Sequence, residues 1–312
     1  MSAPPRSAYV ALVAVCVIWG TTYLAIRLSL EALPPALLGG VRWIVAGVVL
    51  AAITRARGES LPGPSAWRDL SIQGLLLLGL GNGGVNWAEQ YVPSGLSAVI
   101  IATVPFFMLG IDRLFPDGER ITRESVLGLV VGFAGILLLV WPDLRLHDAA
   151  GSHFAWGIVS LQIACLGWAI GSSYSKRHKH GSSVLGSTAV QMLAGGIAML
   201  AVGLALGEWS EVRLAPRGLM AVAYLIAAGS LGGFVSYIYA LKHLPVALVS
   251  IYAYVNPLIA VVLGALVANE PFDLRTVAAM AIVFAGIALV RSGSWINRPW
   301  RFGSFRLGNI AR

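Results

Sequence analysis

Charge is scarce in this sequence. Only 12% of its 312 residues are Asp, Glu, Lys or Arg, against about 25% in a soluble domain, which excludes an ordinary cytosolic enzyme. A hydrophobic share of 57% excludes a disordered chain. Cysteine is nearly missing: Cys16 and Cys165 are the two copies, each in an apolar run where a thiol acts as a small hydrophobe, so no disulfide framework is implied. There is no P-loop, hence no ATP-driven cycle. No Ser/His/Asp set or zinc spacing falls at a membrane-facing site, and the five His occupy non-membrane or interfacial positions. No cofactor or metal is expected. A membrane-embedded enzyme acting on lipid or isoprenoid substrates needs convergent acid–base or metal-binding groups at one face, and these residues do not provide them.

What is present is apolar sequence in long runs, with a mean hydropathy of +0.79. About 20 apolar residues cross ~30 Å of hydrocarbon as a helix. Ten such runs lie between charged or Pro/Gly-rich breaks, at 8–26, 34–53, 70–90, 95–111, 125–141, 154–175, 184–206, 218–241, 246–268 and 274–290. The fold class expected is an all-α integral membrane protein with ten transmembrane helices. The first run is long, is interrupted by Trp19 and Tyr23, and has no small-residue cleavage site before Arg27, so it reads as a helix and not a signal peptide.

The net charge of +8 points to topology, not to nucleic acid. With the N-terminus inside, 16 Lys and Arg fall in inside segments and 5 in outside ones, Arg42 being within the membrane. Both termini are expected in the cytoplasm. The basic tail after Arg291, with Trp295, Trp300 and Phe302, is expected on an anionic lipid surface.

The two halves resemble each other at a shift of about 150 residues. Trp19 and Arg27 map on Trp168 and Lys176, Cys16 on Cys165, and Arg42 on Gln191. Pro93 and Pro105 map on Pro245 and Pro257; Glu119 and Phe133-Ala134-Gly135-Ile136 map on Glu270 and Phe284-Ala285-Gly286-Ile287. The division expected is 1–146, 147–291 and a tail at 292–312. Five helices per copy is an odd number, so the second copy enters the membrane from the opposite side. Transporters use such inverted repeats to alternate access around a midplane site.

Trp19-Gly20-Thr21-Thr22-Tyr23, Arg42, Val92-Pro93-Ser94-Gly95, Pro105, Asn256-Pro257, Glu270 and Phe284-Ala285-Gly286 together resemble the EamA family of the drug/metabolite transporter superfamily. Gly81-Asn82-Gly83 with Ala88-Glu89, and Ser250 through Pro257, narrow the likeness to one bacterial branch. The resemblance covers nearly all of residues 8–291. It implies a ten-helix fold and movement of small metabolites, often export of amino acids or related compounds.

The candidate site follows from depth. Pro105 and Pro257 sit mid-run and free the carbonyls of Ile101 and Ala253, which membrane depth tolerates only against protein or a wet cavity; they are the expected hinges. At comparable depth lie Trp19, Thr22, Tyr23, Asn82, Asn86, Thr103, Tyr237, Tyr252, Tyr254 and Asn256, with Trp168 as the repeat partner of Trp19. Singly, such a Thr or Tyr is a helix-to-helix hydrogen bond. As a set they describe an aromatic-walled cavity suited to a small amphipathic or zwitterionic metabolite. Arg42, roughly 12 Å into its helix, is a functional candidate because an intramembrane charge is expensive; Gln191 keeps its hydrogen bonding without the charge. Glu89 is the lone carboxylate within the runs, within reach of Arg42 and a possible coupling residue. Gly79-x-Gly81-x-x-Gly84 reads as close helix packing, like Gly128/Gly132, Gly203/Gly207 and Gly229/Gly233. The sum is a secondary transporter in a bacterial-type inner membrane, with a small-molecule substrate and lipid as partners. A passive channel shares the composition.

Overall fold

Proline and glycine set the helix boundaries. The computed structural model describes residues 4–92, 94–116, 118, 122–146, 152–178, 183–259 and 274–296. The helices are α1 (Arg6–Ser29), α2 (Pro35–Ala56), and α3, which starts as Pro64–Gly74, widens to a π-helix over Leu75–Asn82 and closes as Gly83–Ala88. There follow α4 (Ser94–Ile101), α5 (Val104–Arg113), α6 (Arg123–Leu146), α7 (Ser152–Arg177) and α8 (Val184–Ala205). The last are α9 (Pro216–His243), α10 (Val246–Ile259) and α11 (Leu274–Ile296). Pro35, Pro64 and Pro216 each open a helix, where the missing N–H has no partner to lose. The Ser183 hydroxyl caps α8 by accepting from Gly186 N at 3.0 Å, and the Glu208 carboxylate caps α2 by accepting from Leu37 N at 2.8 Å. Gly58 and Gly207, at φ +73° and +75°, end α2 and α8 in the left-handed conformation glycine adopts freely. Gly207 therefore stops a helix; it does not form the packing pair with Gly203 that its spacing predicts.

Among the described residues, α1, α2, α8, α9 and 153–177 of α7 are each long and apolar enough to cross a membrane. The exterior is apolar: Val10, Leu24 and Ile197 are 68%, 60% and 59% exposed, while Arg42, Gln73, Glu89, Asp112, Gln191 and Asn256 are buried. That is the arrangement of a protein whose solvent is hydrocarbon. Pro93, Glu119, Glu270, 260–273 and the tail from 297 lie outside the described residues.

Packing between the halves is reciprocal. α2 lies along α8, α6 along α11, α1 against α9 and α3 against α7. The glycines show how closely. A Cβ on Gly47 meets Leu193, and one on Gly196 meets Ile44. Gly81 makes room for the Trp168 ring and Gly233 for the Trp19 ring; Gly135 faces Val283 and Gly286 faces Gly132. In each case the second contact is the first carried across the repeat. The wide coil of α3 likewise has a counterpart in α9, over Leu225–Phe234.

Polar ties between helix ends fall into two sets. One joins Ser7 to Tyr239 at 2.8 Å, Tyr174 to Asp69 at 2.9 Å and Arg177 to Asp112 at 2.8 Å. The other joins Arg27 to the Glu89 carbonyl, Glu208 to the start of α2, and Arg213 N to the Ala32 carbonyl at 2.9 Å.

Candidate functional site

A cavity of about 580 Å³ opens where the two halves meet. α1 supplies Trp19, Thr22, Tyr23 and Ile26; α2 supplies Arg42 and Trp43; α3 supplies Gly81, Asn82 and Val85. The far wall is Ile101 and Val104 at the α4–α5 break, Ala164, Cys165 and Trp168 of α7, and Tyr252 and Asn256 of α10. Sequence depth anticipates seven of these residues, and the repeat adds Trp168. It misses Trp43, whose neighbour Arg42 drew the attention, and the small or aliphatic wall residues, which look like any core position.

Arg42 is 2% exposed and spans from α2 to α9. Its Nε donates to Ser230 Oγ at 2.8 Å, Nη1 reaches Asn82 Oδ1 at 3.5 Å, and the guanidinium lies 4.3 Å over the Trp43 ring. The Trp43 indole N–H donates to the same Asn82 oxygen at 3.3 Å. Gly229 allows this approach, since a Cβ there would sit 2.9 Å from Nη2. Ser230 is the partner sequence reading missed; the signal was its place inside the Gly229/Gly233 pair. The partners are neutral oxygens and an aromatic face, so the charge is oriented without being neutralised.

Glu89 does not reach Arg42, contrary to expectation. Arg42 is held at the level of Asn82, and Glu89 lies seven residues further, about 10 Å along a helix. Glu89 is wholly buried, with Arg27 and Tyr23 as its charged and phenolic neighbours. Both its carboxyl oxygens lack a hydrogen bond among the described residues.

Three aromatic rings, Trp19, Trp168 and Tyr252, close the cavity at depth, with Tyr237 packed behind them. The Trp19 centroid lies 5.4 Å from Trp168, 5.2 Å from Tyr237 and 5.1 Å from Tyr252, mostly edge to face. Trp19 Nε1 donates to the Gly229 carbonyl at 3.1 Å, and Trp168 Nε1 donates to the Tyr237 hydroxyl at 2.9 Å. The two tryptophans related by the repeat thus touch at its centre. The Asn256 amide nitrogen sits between the carbonyls of Tyr252 (2.9 Å) and Cys16 (3.1 Å), oriented to donate to both.

Other candidates lie elsewhere. Tyr237 belongs to the ring cluster but does not line the cavity; it is bonded to Trp168 and Ser172. Thr103 bonds back to the Ile100 carbonyl at 2.7 Å and lies behind Cys165. Asn86 ties α3 to the Pro35 carbonyl at 3.2 Å. Tyr254 packs on Gly132 and donates to the Leu129 carbonyl at 3.0 Å, a bond between α10 and α6. Gln191 donates to Gln73 Oε1 at 2.7 Å, away from this cavity. Pro105 is not mid-helix: the chain breaks at Ala102–Thr103 and Pro105 lies in the first turn of α5, where proline is tolerated. In the second half the break is at Ser250–Ile251, and Pro257 lies within the helical segment that follows.

Among the described residues, a helical bundle with an apolar exterior and an arginine-bearing cavity at its centre defines an integral membrane protein with an internal site. The EamA-like transporter family matches residues 6–141 and again 155–292, and the chain belongs to this family. It is 35% identical over 289 residues to the uncharacterized inner membrane transporter YedA of Escherichia coli K12, covering 92% of this chain and 91% of that protein. It is 24% identical over 290 residues to the uncharacterized transporter YvbV of Bacillus subtilis, with 92% of each covered. It is 24% identical over 284 residues to the protein PecM of Dickeya dadantii, covering 90% and 91%. In fold it matches a solved crystal structure with a TM-score of 0.75 at 20% identity, over 93% of this chain and 99% of the other. The family and the names of these relatives point to a multi-pass membrane transporter, not an enzyme.

Proposed function

We propose that the protein is a secondary transporter that exports a small amphipathic metabolite, an amino acid or a related carboxylate-bearing compound, across the inner membrane by alternating access. Ten crossings form two inverted five-helix repeats, 1–146 and 147–291, with both termini and the basic 292–312 tail on the cytoplasmic side. The observation that carries this reading is the cavity itself: the buried Arg42 guanidinium and an aromatic floor lie where two reciprocally packed copies meet. Arg42 takes the carboxylate; Trp19, Trp168 and Tyr252 hold the apolar part; Asn82 and Asn256 offer amide groups to its polar end. Glu89 is the candidate for proton coupling, because it is a buried carboxyl group whose oxygens have no hydrogen bond among the described residues. The deciding experiment is a panel of radiolabelled metabolites in proteoliposomes, with and without a pH gradient. A carrier gives counterflow; a passive channel gives downhill flux alone.

The two sets of polar ties support the topology, since loops that touch share a face of the membrane. Cysteines near 60, 118, 179 and 300 are expected to be labelled from the cytoplasm and those near 30, 147, 212 and 272 from outside. Cytoplasmic labelling near 147 overturns both the helix count and the inversion. The prolines give a second test. At Pro257, inside its helical segment, alanine restores a helical backbone bond, whereas at Pro105, in the first turn of α5, the added N–H has no helical carbonyl to reach; Pro257→Ala should therefore slow turnover several-fold and shift the access state, and Pro105→Ala should do so much less. Accessibility of cysteines placed beside Thr103 and Asn256 reads this; the same change in both variants assigns the prolines to packing alone.

A further inference from the structure

Arg42 belongs to α2, but its guanidinium is seated on α9. The seat lies in the π-helical stretch Leu225–Phe234, where successive residues turn through a smaller angle than the ~100° of an α-helix. Two consecutive residues there meet the guanidinium. The buried Ser230 hydroxyl accepts from Nε at 2.8 Å, and the missing side chain of Gly229 leaves space for Nη2, 2.9 Å from where a Cβ would stand. Gly229 also offers its carbonyl to Trp19 Nε1 at 3.1 Å. One short stretch of α9 thus holds both the cation and the aromatic floor.

The other copy has no such seat. At the shift that carries Gly81 under Trp168 onto Gly233 under Trp19, buried Leu77 and Leu78 stand where Gly229 and Ser230 do. The arginine's own counterpart is Gln191. The charge and its seat therefore occur together in one half and are replaced together in the other. Leucine satisfies the packing; the glycine–serine step serves the guanidinium.

A guanidinium presents five N–H donors in a rigid fork. Among the described residues, Ser230 takes the Nε donor, and Asn82 Oδ1 takes one from Nη1 at 3.5 Å. The unspent donors are on Nη1 and Nη2, whose parallel N–H bonds match the two oxygens of a carboxylate.

We infer that Ser230 and Gly229 are positioning residues that make Arg42 a carboxylate receptor, Ser230 occupying the Nε side of the fork so that the Nη1–Nη2 edge is left to the substrate. The inference rests on the transporter reading above and adds to it how the substrate's acidic group is held.

The test titrates full-length protein in nanodiscs by ligand-observed fluorine NMR with para-fluorobenzoate and with para-fluorobenzamide, its uncharged counterpart of the same shape. In wild type the benzoate should bind about 10-fold more tightly, and Arg42→Gln should bring the ratio to about 1. Gly229→Ala is the decisive variant, because the atoms nearest its new Cβ are the ends of the Arg42 and Thr22 side chains and not backbone. It should melt no lower than wild type, since alanine favours a helix over glycine, yet bring the ratio to about 2 by displacing the fork. Ser230→Ala should do the same, and Ser230→Thr, which keeps the hydroxyl, should restore most of the preference. Benzamide affinity should stay within about 2-fold throughout, and for a carboxylate found by the metabolite panel KM should rise about 5-fold with kcat nearly unchanged. A wild-type ratio in Gly229→Ala and Ser230→Ala, or equal loss of benzoate and benzamide binding, overturns the inference and leaves the carboxylate reading standing. A ratio near 1 in the wild-type protein overturns both.

Discussion

Arg42→Gln should fold, insert and lose most transport of any carboxylate-bearing substrate. The wild-type guanidinium is fixed by Ser230, Asn82 and the Trp43 ring, none of which neutralises it. A charge-assisted hydrogen bond contributes about 1.5–3 kcal/mol, and every ~1.4 kcal/mol is tenfold. The expected loss in kcat/KM is therefore on the order of 10- to 100-fold. Folding should survive, because the other copy already carries a glutamine at this place, Gln191, buried and bonded. Arg42→Lys keeps the charge but not the fork that reaches Ser230 and Asn82 together, and should fall between the two. The measurements are initial rates in proteoliposomes and a melting curve in detergent. If Arg42→Gln transports carboxylates at the wild-type rate but melts early, the arginine is a structural tie and the substrate class is wrong.

Gly286→Ala should be strongly destabilising. A Cβ there falls 2.5 Å from Gly132 N and 2.6 Å from the Gly128 carbonyl, which are backbone atoms that no rotamer change can move aside. α6 and α11 would have to separate along their whole contact, with a cost of about 1–3 kcal/mol or more. Gly110→Ala, on the exposed side of α5 with nothing within 4 Å, is the control. It should be neutral or stabilising by about 0.5–1 kcal/mol, since mid-helix glycine is entropically costly. Equal melting temperatures for the two variants would show that the α6–α11 approach is looser than this.

The likeness of the halves was visible in Trp19/Trp168, Arg42/Gln191 and the two Phe-Ala-Gly-Ile segments because each copy solves the same packing problem with the same residues. Thr103, Tyr254 and Asn86 were placed in the site by depth, yet a helical residue at the right depth can face any direction. Tyr254 turns to Gly132, Asn86 to the Pro35 carbonyl and Thr103 back to its own helix. Pro105 looked mid-helix because its run is continuously apolar; hydropathy does not register the break at Ala102–Thr103, which leaves composition unchanged.

By itself the sequence determined the class of protein, its family and the existence of a repeat, since run length, charge placement and motif spacing are one-dimensional quantities that a membrane reads directly. Only the tertiary structure decided which polar groups share a cavity. The partner of Arg42 is Ser230, 188 residues away, and its separation from Glu89 follows from the levels at which α2 and α3 are set against each other. The close approach that brings Trp19 against Trp168 depends on the absence of a Cβ at Gly81 and Gly233 in the facing helices. Such contacts depend on helix rotation and close approach, which hydropathy and spacing along a single chain leave free.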